Sequence, residues 1–469
     1  MSVLHATAEL FPWIKTGGLA DVAAALPEAL HRSGVESRTV VPGFPAIMTA
    51  LEQQRVVYEA HGLFGTARMR VVQGSLPERR SLVYAIDAPS LYDRPGSPYA
   101  PPEGGSWGDN LIRFAMLGWV AAKLAAGELD REWKPRVLHV HDWHPALAQS
   151  YLADAWPGAK SVLTIHNIEY PGRFPPHDFN RLGLAHWHAA PLGSLEFFGD
   201  LCFLKAGALL AHRVTTVSPT YAEEITAGRY GNGIDAVLRS RGDRVIGILN
   251  GVDYETWDPA ADTLLPARFD VADLTGKRTC KDALRKNFGL IDGGNSPIFV
   301  LVSRLNWQKG VDLVADVTDL IVERGGQLVV VGSGDGPLEW RLEQLRTRHP
   351  GKVGVHIGYS EPLAHLAIAG GDVLLMPSRH EPCGLTQLYA KRYGTLPLVQ
   401  AVGGLADTVD DNTGFRFREP YGSLAQSLGE AFYAYADRSR WTHMQSAAMR
   451  QDYGWTASAE AYGKLYAEL

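Results

Sequence analysis

The sequence contains few cysteines, and their scarcity excludes two common ways of stabilising a fold. Only three occur in 469 residues, Cys202, Cys280 and Cys383, and they are far apart. Neither a disulfide framework nor a cysteine-rich metal cluster follows from such a set. A reducing compartment is therefore expected.

Long hydrophobic runs and an excess of basic residues are also missing. The longest apolar tract, 114–126, is interrupted by Lys123 and is too short to cross a bilayer. The first residues lack the pattern of a secretion signal. The formal net charge of −6 argues against a nucleic-acid partner, which favours a basic surface. We therefore expect a cytoplasmic protein with neither a membrane nor a nucleic-acid partner.

Short apolar segments rich in β-branched residues alternate with segments of helical period. The predicted strands are 3–8, 37–41, 82–86, 137–140, 161–165, 214–217, 245–249, 298–302, 328–331, 353–357, 373–376 and 396–399. Strand–helix alternation is typical of parallel sheets with helices on both faces. One open sheet rarely holds so many strands, so the predicted fold class is α/β with two doubly wound, Rossmann-like domains.

The expected domains are 1–243 and 244–454, followed by an amphipathic helix over 455–469. The boundary is placed in the polar segment that precedes Asn250 and Gly251. Ligands of doubly wound sheets bind beyond the carboxyl ends of the strands. Two such domains that face each other predict a substrate cleft between them.

The first candidate site follows the first strand, with Glu9 and then the segment from Lys15 to Asp21. The adjacent glycines Gly17 and Gly18 allow backbone to approach a phosphate, and the following helix presents its N-terminus. Lys15 adds a positive charge. A tight turn with a solvated lysine is the alternative interpretation.

The second candidate site follows the strand that ends at 302. Arg304 and Lys309 place two cations on one loop, which suits a diphosphate and the charge that develops on a departing nucleotide. A basic pair on the surface is the alternative.

The third candidate site is the segment 381–387, which follows the strand 373–376. The carboxylate of Glu381 is suited to accept hydrogen bonds from sugar hydroxyls, although an acidic residue favoured by a helix dipole is the alternative. Cys383 has no evident base nearby in the sequence, so a buried thiol is expected rather than a nucleophile.

Two other patterns suggest cofactors and are rejected. The histidines from His139 to His166 invite a zinc hypothesis, but their spacing is expected to place alternate members on opposite faces of a strand. The glycine-rich segment 331–336 lacks the complete G-x-G-x-x-G pattern of nicotinamide enzymes. No metal and no cofactor are therefore predicted.

Together these segments resemble the bacterial glycogen synthases and plant starch synthases, which form glycosyltransferase family five. The matching segments, in family order, are 15–22, 141–143, 164–167, 250–253, 303–305, 308–310, 381–387 and 403–409. The resemblance implies the GT-B architecture, in which two Rossmann-like domains face each other across a cleft. It also implies that the C-terminal helix returns to the first domain.

The resemblance implies a reaction as well as a fold. Members of this family transfer glucose from ADP-glucose to the non-reducing 4-hydroxyl of an α-1,4-glucan such as glycogen, with retention of configuration and without a metal. The two substrates, ADP-glucose and the α-1,4-glucan, are the expected partners, and the oligomeric state is left open. Because the motifs offer no evident nucleophilic carboxylate, attack on the same face as the leaving phosphate is favoured.

Residue roles follow from the same resemblance. The catalytic residues it implies are Glu381, His166, Arg304, Lys309 and Asp142. The donor-binding residues it implies are Lys15, Gly18, Asn250, Arg304, Lys309, Tyr359, Cys383, Gly384, Leu385 and Thr386. Glu9 and Asp21 are expected on the acceptor side.

The chain departs from the family pattern at a few positions, and two rival functions remain. His380 stands where an aromatic residue is usual, His144 stands where glutamine is common, and the loop 410–414 is short. One rival is a retaining enzyme that uses UDP-glucose to make sucrose or a small glycoside. The other is a non-catalytic glucan-binding protein.

Overall fold

The computed structural model describes residues 1–156, 158–228, 230–291, 293–419 and 423–469. The chain divides into two units, one formed by Met1–Gly251 with Trp455–Leu469 and the other by Val252–Gly454. Each unit contains its own main sheet. The units are described separately.

The strands of the first unit form a large mixed sheet and a small antiparallel one. They are β1 (Ser2–Ala6), β2 (Glu36–Pro42), β3 (Glu52–Ala60), β4 (Met69–Ser75), β5 (Val83–Asp87), β6 (Val137–His141), β7 (Lys160–Ile165), β8 (Arg173–Phe174), β9 (Glu196–Phe197), β10 (Asp200–Cys202), β11 (Arg213–Thr216) and β12 (Val245–Gly247). The main sheet has the order β12-β11-β7-β6-β1-β2-β5-β4-β3, and the small sheet has the order β8-β10-β9.

Helices cover both faces of the main sheet of the first unit. They are α1 (Gly18–Arg32), α2 (Pro45–Ala50), α3 (Pro89–Tyr92), α4 (Asn110–Ala126), α5 (Ala148–Ala155), α6 (Phe203–Leu210), α7 (Pro219–Thr226) and α8 (Asp235–Arg241). Short 3₁₀ turns lie at Leu63–Gly65, Pro176–Leu182, His186–His188 and Gly242–Arg244. The central helix α4 is almost entirely buried, which explains its nearly continuous apolar sequence.

The second unit has one main sheet in which all paired strands are parallel. Its strands are β13 (Ile298–Val302), β14 (Gln327–Gly332), β15 (Val353–Ile357), β16 (Val373–Met376), β17 (Leu396–Gln400) and β18 (Phe415–Phe417). Their order in the sheet is β15-β14-β13-β16-β17-β18.

The helices of the second unit are α9 (Thr275–Asn287), α10 (Val311–Glu323), α11 (Gly336–Arg348), α12 (Glu361–Gly370), α13 (Thr386–Arg392), α14 (Gly403–Thr408), α15 (Leu424–Ala436) and α16 (Arg438–Arg450). Successive side chains of β13 enter two different apolar cores. Phe299 and Leu301 belong to one core, whereas Ile298 and Val300 belong to the other. Because strand residues alternate between faces, this sheet is buried on both sides.

The last helix, α17 (Trp455–Ala467), belongs to the first unit although it follows the second in the chain. Trp455, Tyr462 and Tyr466 pack into an apolar core with residues of α1 and of the strands β1, β6 and β7. The Tyr466 hydroxyl also lies 2.7 Å from Nδ1 of His139 on β6. The helix therefore completes one face of the first sheet.

The structure differs from the sequence prediction at several places. The segment 245–249 was assigned to the second domain, but β12 pairs with β11 in the first sheet, so the first unit extends to Gly251. The sequence prediction missed β3, β4, β8, β9 and β10 in the first unit and β18 in the second. The strand β4 pairs antiparallel with both β3 and β5. The strand β3 is exposed or half-buried along its length, so it lacks the apolar run that identified the other strands.

No helix in the described ranges is long and apolar enough to cross a membrane.

Replacement of Tyr466 tests how strongly α17 stabilises the first unit. Tyr466 is fully buried and hydrogen-bonded to His139. We expect Tyr466→Phe to lower the free energy of unfolding by about 1–3 kcal/mol, because it leaves a buried ring nitrogen without its partner. Tyr466→Ala also removes the ring and should cost about 3–5 kcal/mol.

Chemical denaturation with urea measures both effects. Tyr433→Phe, at a side chain of the second unit that is 72% exposed, is the matched control and should change stability by less than about 0.5 kcal/mol. Equal effects at the two tyrosines would contradict a stabilising role for α17.

Candidate active site

Both main sheets reverse their strand order beside their first strand. β1 lies between β2 and β6, and β13 lies between β14 and β16. At such a point the loops leave neighbouring strands in opposite directions and open a crevice beyond the carboxyl ends. Two groups of predicted site residues follow these strands, one group in each unit.

Glu9 holds the glycine-rich turn that follows β1. Its carboxylate is only 3% exposed and accepts hydrogen bonds from the backbone N–H groups of Thr16 (2.7 Å) and Gly17 (3.3 Å). The hydroxyls of Thr16 and Tyr99 donate to the same carboxylate. Glu9 therefore positions the turn and links it to the loop 93–109, and the acceptor-side role predicted for it stays a prediction.

The turn itself is exposed and carries a positive charge. Lys15 Nζ lies 2.9 Å from Oδ1 of Asp21 and 4.8 Å from the centre of the Phe11 ring. Gly17 precedes α1, and Gly18 is its first residue. A lysine beside a helix N-terminus attracts anionic groups. Lys15, Gly18 and Asp21 therefore lie together at this turn, and their roles in donor and acceptor binding stay predictions.

Asp142 follows β6 in a backbone conformation that is uncommon for a residue with a side chain, with φ of 60°. Oδ1 accepts the backbone N–H groups of His166 (2.7 Å) and Asn167 (3.3 Å). Burial raises the pKa of Asp142 to about 7, and these two hydrogen bonds act in the opposite direction. Strained conformations of this kind concentrate at functional sites.

His166 follows β7, the strand next to β6, so its backbone lies beside Asp142. Nε2 of its ring lies 3.0 Å from Nδ1 of His141. Burial lowers the pKa of His166 to about 3, so the ring is neutral at physiological pH. The structure therefore brings together the two predicted catalytic residues of the first unit.

The histidine cluster corrects one argument made from the sequence. His139 and His141 lie two residues apart on β6 and share one face of the strand, with ring centres 4.2 Å apart. His5 on β1 joins them, and nitrogens of the three rings lie within 4.8 Å of one another. The ring nitrogens of His139 and His141 form hydrogen bonds with side chains, and those bonds would have to break before a metal could bind. The expectation that no metal binds stays a prediction.

Asn250 lies just after β12 and is 7% exposed. Among the described residues, none hydrogen-bonds to its Oδ1, although that atom is buried. Buried polar atoms normally have partners. A ligand hydroxyl that reaches this atom would satisfy it, which agrees with the predicted donor-binding role.

In the second unit, the loop after β13 meets the loop after β16. Nζ of Lys309 lies 2.6 Å from Oε2 of Glu381, and Ser378 Oγ donates to the same oxygen at 2.9 Å. Arg304 lies on the same loop as Lys309 and is exposed, and within the described part of the chain its guanidinium forms no hydrogen bond or ion pair. The structure therefore joins Lys309 directly to Glu381 and leaves Arg304 available to an anion.

Arg379 connects these two loops and was not identified from the sequence. Its guanidinium forms two 2.7 Å hydrogen bonds with the carboxylate of Asp312 and a third with the carbonyl of Trp307. It also lies 4.3 Å from the centre of the Trp307 ring. A bidentate pair of this kind fixes geometry as well as charge. Arg379 therefore holds the loop that carries Lys309 (303–310, the lysine loop) beside Glu381. Its position two residues before Glu381 is the sequence feature from which Arg379 could have been identified.

Two glycines make this close approach possible. Gly310 has φ of 68°, and a Cβ atom there would lie 2.1 Å from the carbonyl oxygen of Pro377. Gly403 has φ of 44°, and a Cβ there would lie 2.0 Å from the carbonyl oxygen of Glu381. Only glycine fits at both positions. The segments 303–310 and 403–409 therefore pack directly against the chain around Glu381.

The remaining predicted donor-binding residues of the second unit lie near the carboxyl ends of its strands. Gly384 has φ of 71° and Cys383 is buried, and the Gln387 side chain donates to the carbonyls of both. Leu385 and Thr386 form the start of α13. Tyr359 follows the edge strand β15, is 78% exposed and hydrogen-bonds to Glu361.

The two histidines that depart from the family pattern have defined surroundings. The His144 ring stacks on Tyr99 with centres 4.8 Å apart, and burial lowers its pKa well below the usual value. The His380 carbonyl accepts a hydrogen bond from Gln308 on the lysine loop.

Two protein-family models match most of the chain. A model of the starch synthase catalytic domain matches residues 2–240, and a model of group 1 glycosyl transferases matches residues 285–441. The solved sucrose-phosphate synthase of Thermosynechococcus elongatus is 18% identical, with a TM-score of 0.61 over 100% of this chain and 98% of that chain. This likeness supports the fold alone. The fold and the family models together define a glycosyltransferase with two Rossmann-like units.

Relatives of the same length narrow this class. The chain is 44% identical to a glycogen synthase of Francisella philomiragia and 45% identical to one of Yersinia pseudotuberculosis, with 100% of both chains covered in each case. The catalytic domain of starch synthase IV from Arabidopsis thaliana, solved with ADP and acarbose, is 30% identical, with a TM-score of 0.88 over 100% of this chain and 99% of that chain. The chain belongs to the glycogen synthase family.

These matches confirm the predicted α/β fold class and the predicted family. The roles of single residues stay predictions.

Neutral buried histidines make the first unit sensitive to acid. Burial lowers the pKa of both His5 and His166 from 6.5 to about 3. Between these values the unfolded chain binds more protons than the folded one, so stability is complete above about pH 6.5 and is lost as the pH falls toward 3. We expect the free energy of unfolding to decrease by up to ~1.4 kcal/mol per pH unit for each such group.

Thermal unfolding between pH 7.5 and 4.5 measures this loss. The His5→Asn variant removes one titrating group, and its stability should depend less steeply on pH than that of the wild type. His443→Gln, on an exposed part of α16, is the control and should keep the wild-type slope. An unchanged slope in His5→Asn would contradict the assignment.

Proposed function

We propose that this glycosyltransferase elongates an α-1,4-glucan. It would transfer glucose from ADP-glucose to the non-reducing 4-hydroxyl with retention of configuration and release ADP. The observation that carries the proposal is the ion pair of Lys309 with Glu381 at the strand-order reversal of the second sheet, on a loop that also carries the exposed Arg304. Membership of the glycogen synthase family and a structural relative that holds ADP and acarbose support the choice of donor and acceptor.

The second unit supplies the charges that a nucleotide diphosphate requires. Arg304 offers a guanidinium without a competing partner among the described residues, and Lys309 offers an ammonium group. We infer that the phosphates of the donor draw Lys309 toward them, which weakens its pair with Glu381. The freed carboxylate then accepts hydrogen bonds from glucosyl hydroxyls. Two cations also stabilise the charge that develops as ADP departs.

The same pair of cations supports the proposal that no metal and no other cofactor take part. Many nucleotide-dependent enzymes use a divalent ion to neutralise developing phosphate charge. We propose that Arg304 and Lys309 meet that charge instead, so that the protein itself supplies the compensation.

The first unit supplies polar groups suited to a sugar. Oδ1 of Asn250 is buried without a partner among the described residues, and His166 and Asp142 lie side by side after neighbouring strands. We propose that these groups contact the transferred glucose and its acceptor. The proposal extends to Lys15, Gly18 and Asp21 on the exposed turn and to Tyr359 and Thr386 on the nucleotide.

Retention of configuration is assigned to attack on the face from which the phosphate leaves. Glu381 is paired with Lys309, and one oxygen of Asp142 already accepts two backbone N–H groups. Neither carboxylate is arranged as the nucleophile of a two-carboxylate glycosidase. The departing phosphate is therefore proposed to take the proton from the acceptor hydroxyl.

An assay with radiolabelled donors and a glycogen primer tests the function. We expect label from ADP-glucose to enter the polymer, and excess unlabelled UDP-glucose to compete poorly. Transfer from UDP-glucose alone, to fructose or another small acceptor, would favour the rival enzyme. Glucan binding with neither transfer would favour the non-catalytic rival.

Replacement of Lys309 tests the proposed phosphate contact. Lys309→Ala should lower turnover by roughly 10²–10³-fold, the effect expected for loss of one charge-stabilising group. Initial rates at saturating donor measure the effect, and circular dichroism verifies that the fold is intact. Lys286→Ala, an exposed lysine at the end of α9, is the matched control and should retain full turnover. Near-normal turnover in a folded Lys309→Ala protein would overturn the role.

A further inference from the structure

A chain of hydrogen-bonded histidines connects the interior of the first sheet to the predicted sugar-binding residue His166. Nδ1 of His5 lies 3.2 Å from Nε2 of His141, and Nδ1 of His141 lies 3.0 Å from Nε2 of His166. His5 and His141 are fully buried, and His166 is 9% exposed. The three residues follow or lie on the adjacent strands β1, β6 and β7.

Neutral imidazole carries one proton, so the direction of one hydrogen bond fixes the next. A neutral ring donates from one nitrogen and accepts at the other. Burial lowers the pKa of all three rings, which keeps them neutral. Only two proton arrangements therefore satisfy both hydrogen bonds. Either every ring donates toward His166, or every ring donates toward His5.

The end of the histidine chain at His5 distinguishes the two arrangements. Nε2 of His5 is buried, and no group in the described part of the protein hydrogen-bonds to it. If the rings donated toward His5, this atom would carry an N–H group without an acceptor. If they donate toward His166, it carries only a lone pair. Buried N–H groups without a partner are rarer than buried acceptors without one.

We propose that His5 and His141 are positioning residues that hold His166 in the tautomer with its proton on Nδ1. His141 donates to Nε2 of His166, so the remaining ring nitrogen, Nδ1, is an N–H donor. That nitrogen has no partner among the described residues. In combination with the proposed function, on which this consequence rests, His166 donates a hydrogen bond to a glucosyl oxygen and does not accept one from a hydroxyl.

The backbone of His166 is fixed independently of this chain. Asp142 accepts the His166 backbone N–H at 2.7 Å, whereas the imidazole is fixed by His141. The two restraints act on different parts of one residue. Loss of the histidine chain should therefore change the orientation and the tautomer of the ring without displacing the loop.

Nitrogen-15 NMR of the wild-type protein labelled at its histidine rings tests the proposal directly. The signals of His166 are assigned by their absence from a His166→Gln variant. We expect a protonated Nδ1 and an unprotonated Nε2 at pH 7.5. A protonated Nε2 would overturn the proposal, whatever the activity of the enzyme.

Paired substitutions of His141 test the consequence. Asn places an amide donor near the position of Nδ1, so His141→Asn should keep the His166 tautomer and remain within about threefold of the wild-type kcat/KM. His141→Leu removes the donor and should lower kcat/KM about tenfold, the equivalent of one lost hydrogen bond. It should also leave the His166 ring signals averaged between tautomers.

His188→Asn is the control for a general effect of replacing a buried histidine. His188 is fully buried in the first unit and hydrogen-bonds to Ser194 and Asp154. It is not a member of the histidine chain. This variant should leave kcat/KM and the His166 signals unchanged. Equal kinetic losses in His141→Asn and His141→Leu would overturn the positioning role. Absence of transfer from ADP-glucose in the wild type would instead reject the proposed function and leave the NMR result standing.

Discussion

The pairing of β1 with β6 in the first unit, and of β13 with β16 in the second, is the constraint on which the candidate groups of each unit depend. In each unit, the first strand has the next strand of the sequence on one side, β2 beside β1 and β14 beside β13. On its other side lies a strand from later in the sequence, β6 or β16. Parallel strands all end at the same edge of the sheet, so the loops after these pairs leave that edge side by side. Glu9 and Asp142 reach one such edge, and Arg304 and Glu381 reach the other. Hydrophobic strand packing, rather than any attraction between these charged groups, brings them together.

Once the loops are adjacent, their spacing is set by backbone contact and by one arginine. Gly310 and Gly403 remove the side chains that would separate the segments around Glu381. Arg379 then fixes the lysine loop by hydrogen bonds to the Asp312 carboxylate and the Trp307 carbonyl. A salt bridge at the surface contributes little to stability by itself, but a bidentate pair held against an indole ring restricts orientation. The short distance between Lys309 and Glu381 follows from these restraints.

Local sequence patterns predicted the elements that have an apolar run or a characteristic motif of their own. Continuous apolar runs identified β13 to β17, because both faces of that sheet are buried. The exposed edge strand β3 was missed, since it has no apolar face to detect. The motif at Glu381 identified the carboxylate but not Arg379, whose function depends on Asp312, far away in the chain. His5 has no sequence signal at all, because its partner is His141.

The buried histidines and Asp142 of the first unit show how polar side chains are accommodated in the interior of the protein. Several histidines lie in the interior of a sheet, where charged side chains would be strongly destabilising. Their burial keeps them neutral, and neutral rings satisfy one another through hydrogen bonds. Asp142 reaches a similar balance, because burial raises its pKa while two backbone N–H groups stabilise its charge. Under the proposed function, this neutral network presents hydrogen-bond donors and acceptors in defined places to an uncharged sugar. The second unit instead presents fixed charges, as a diphosphate requires.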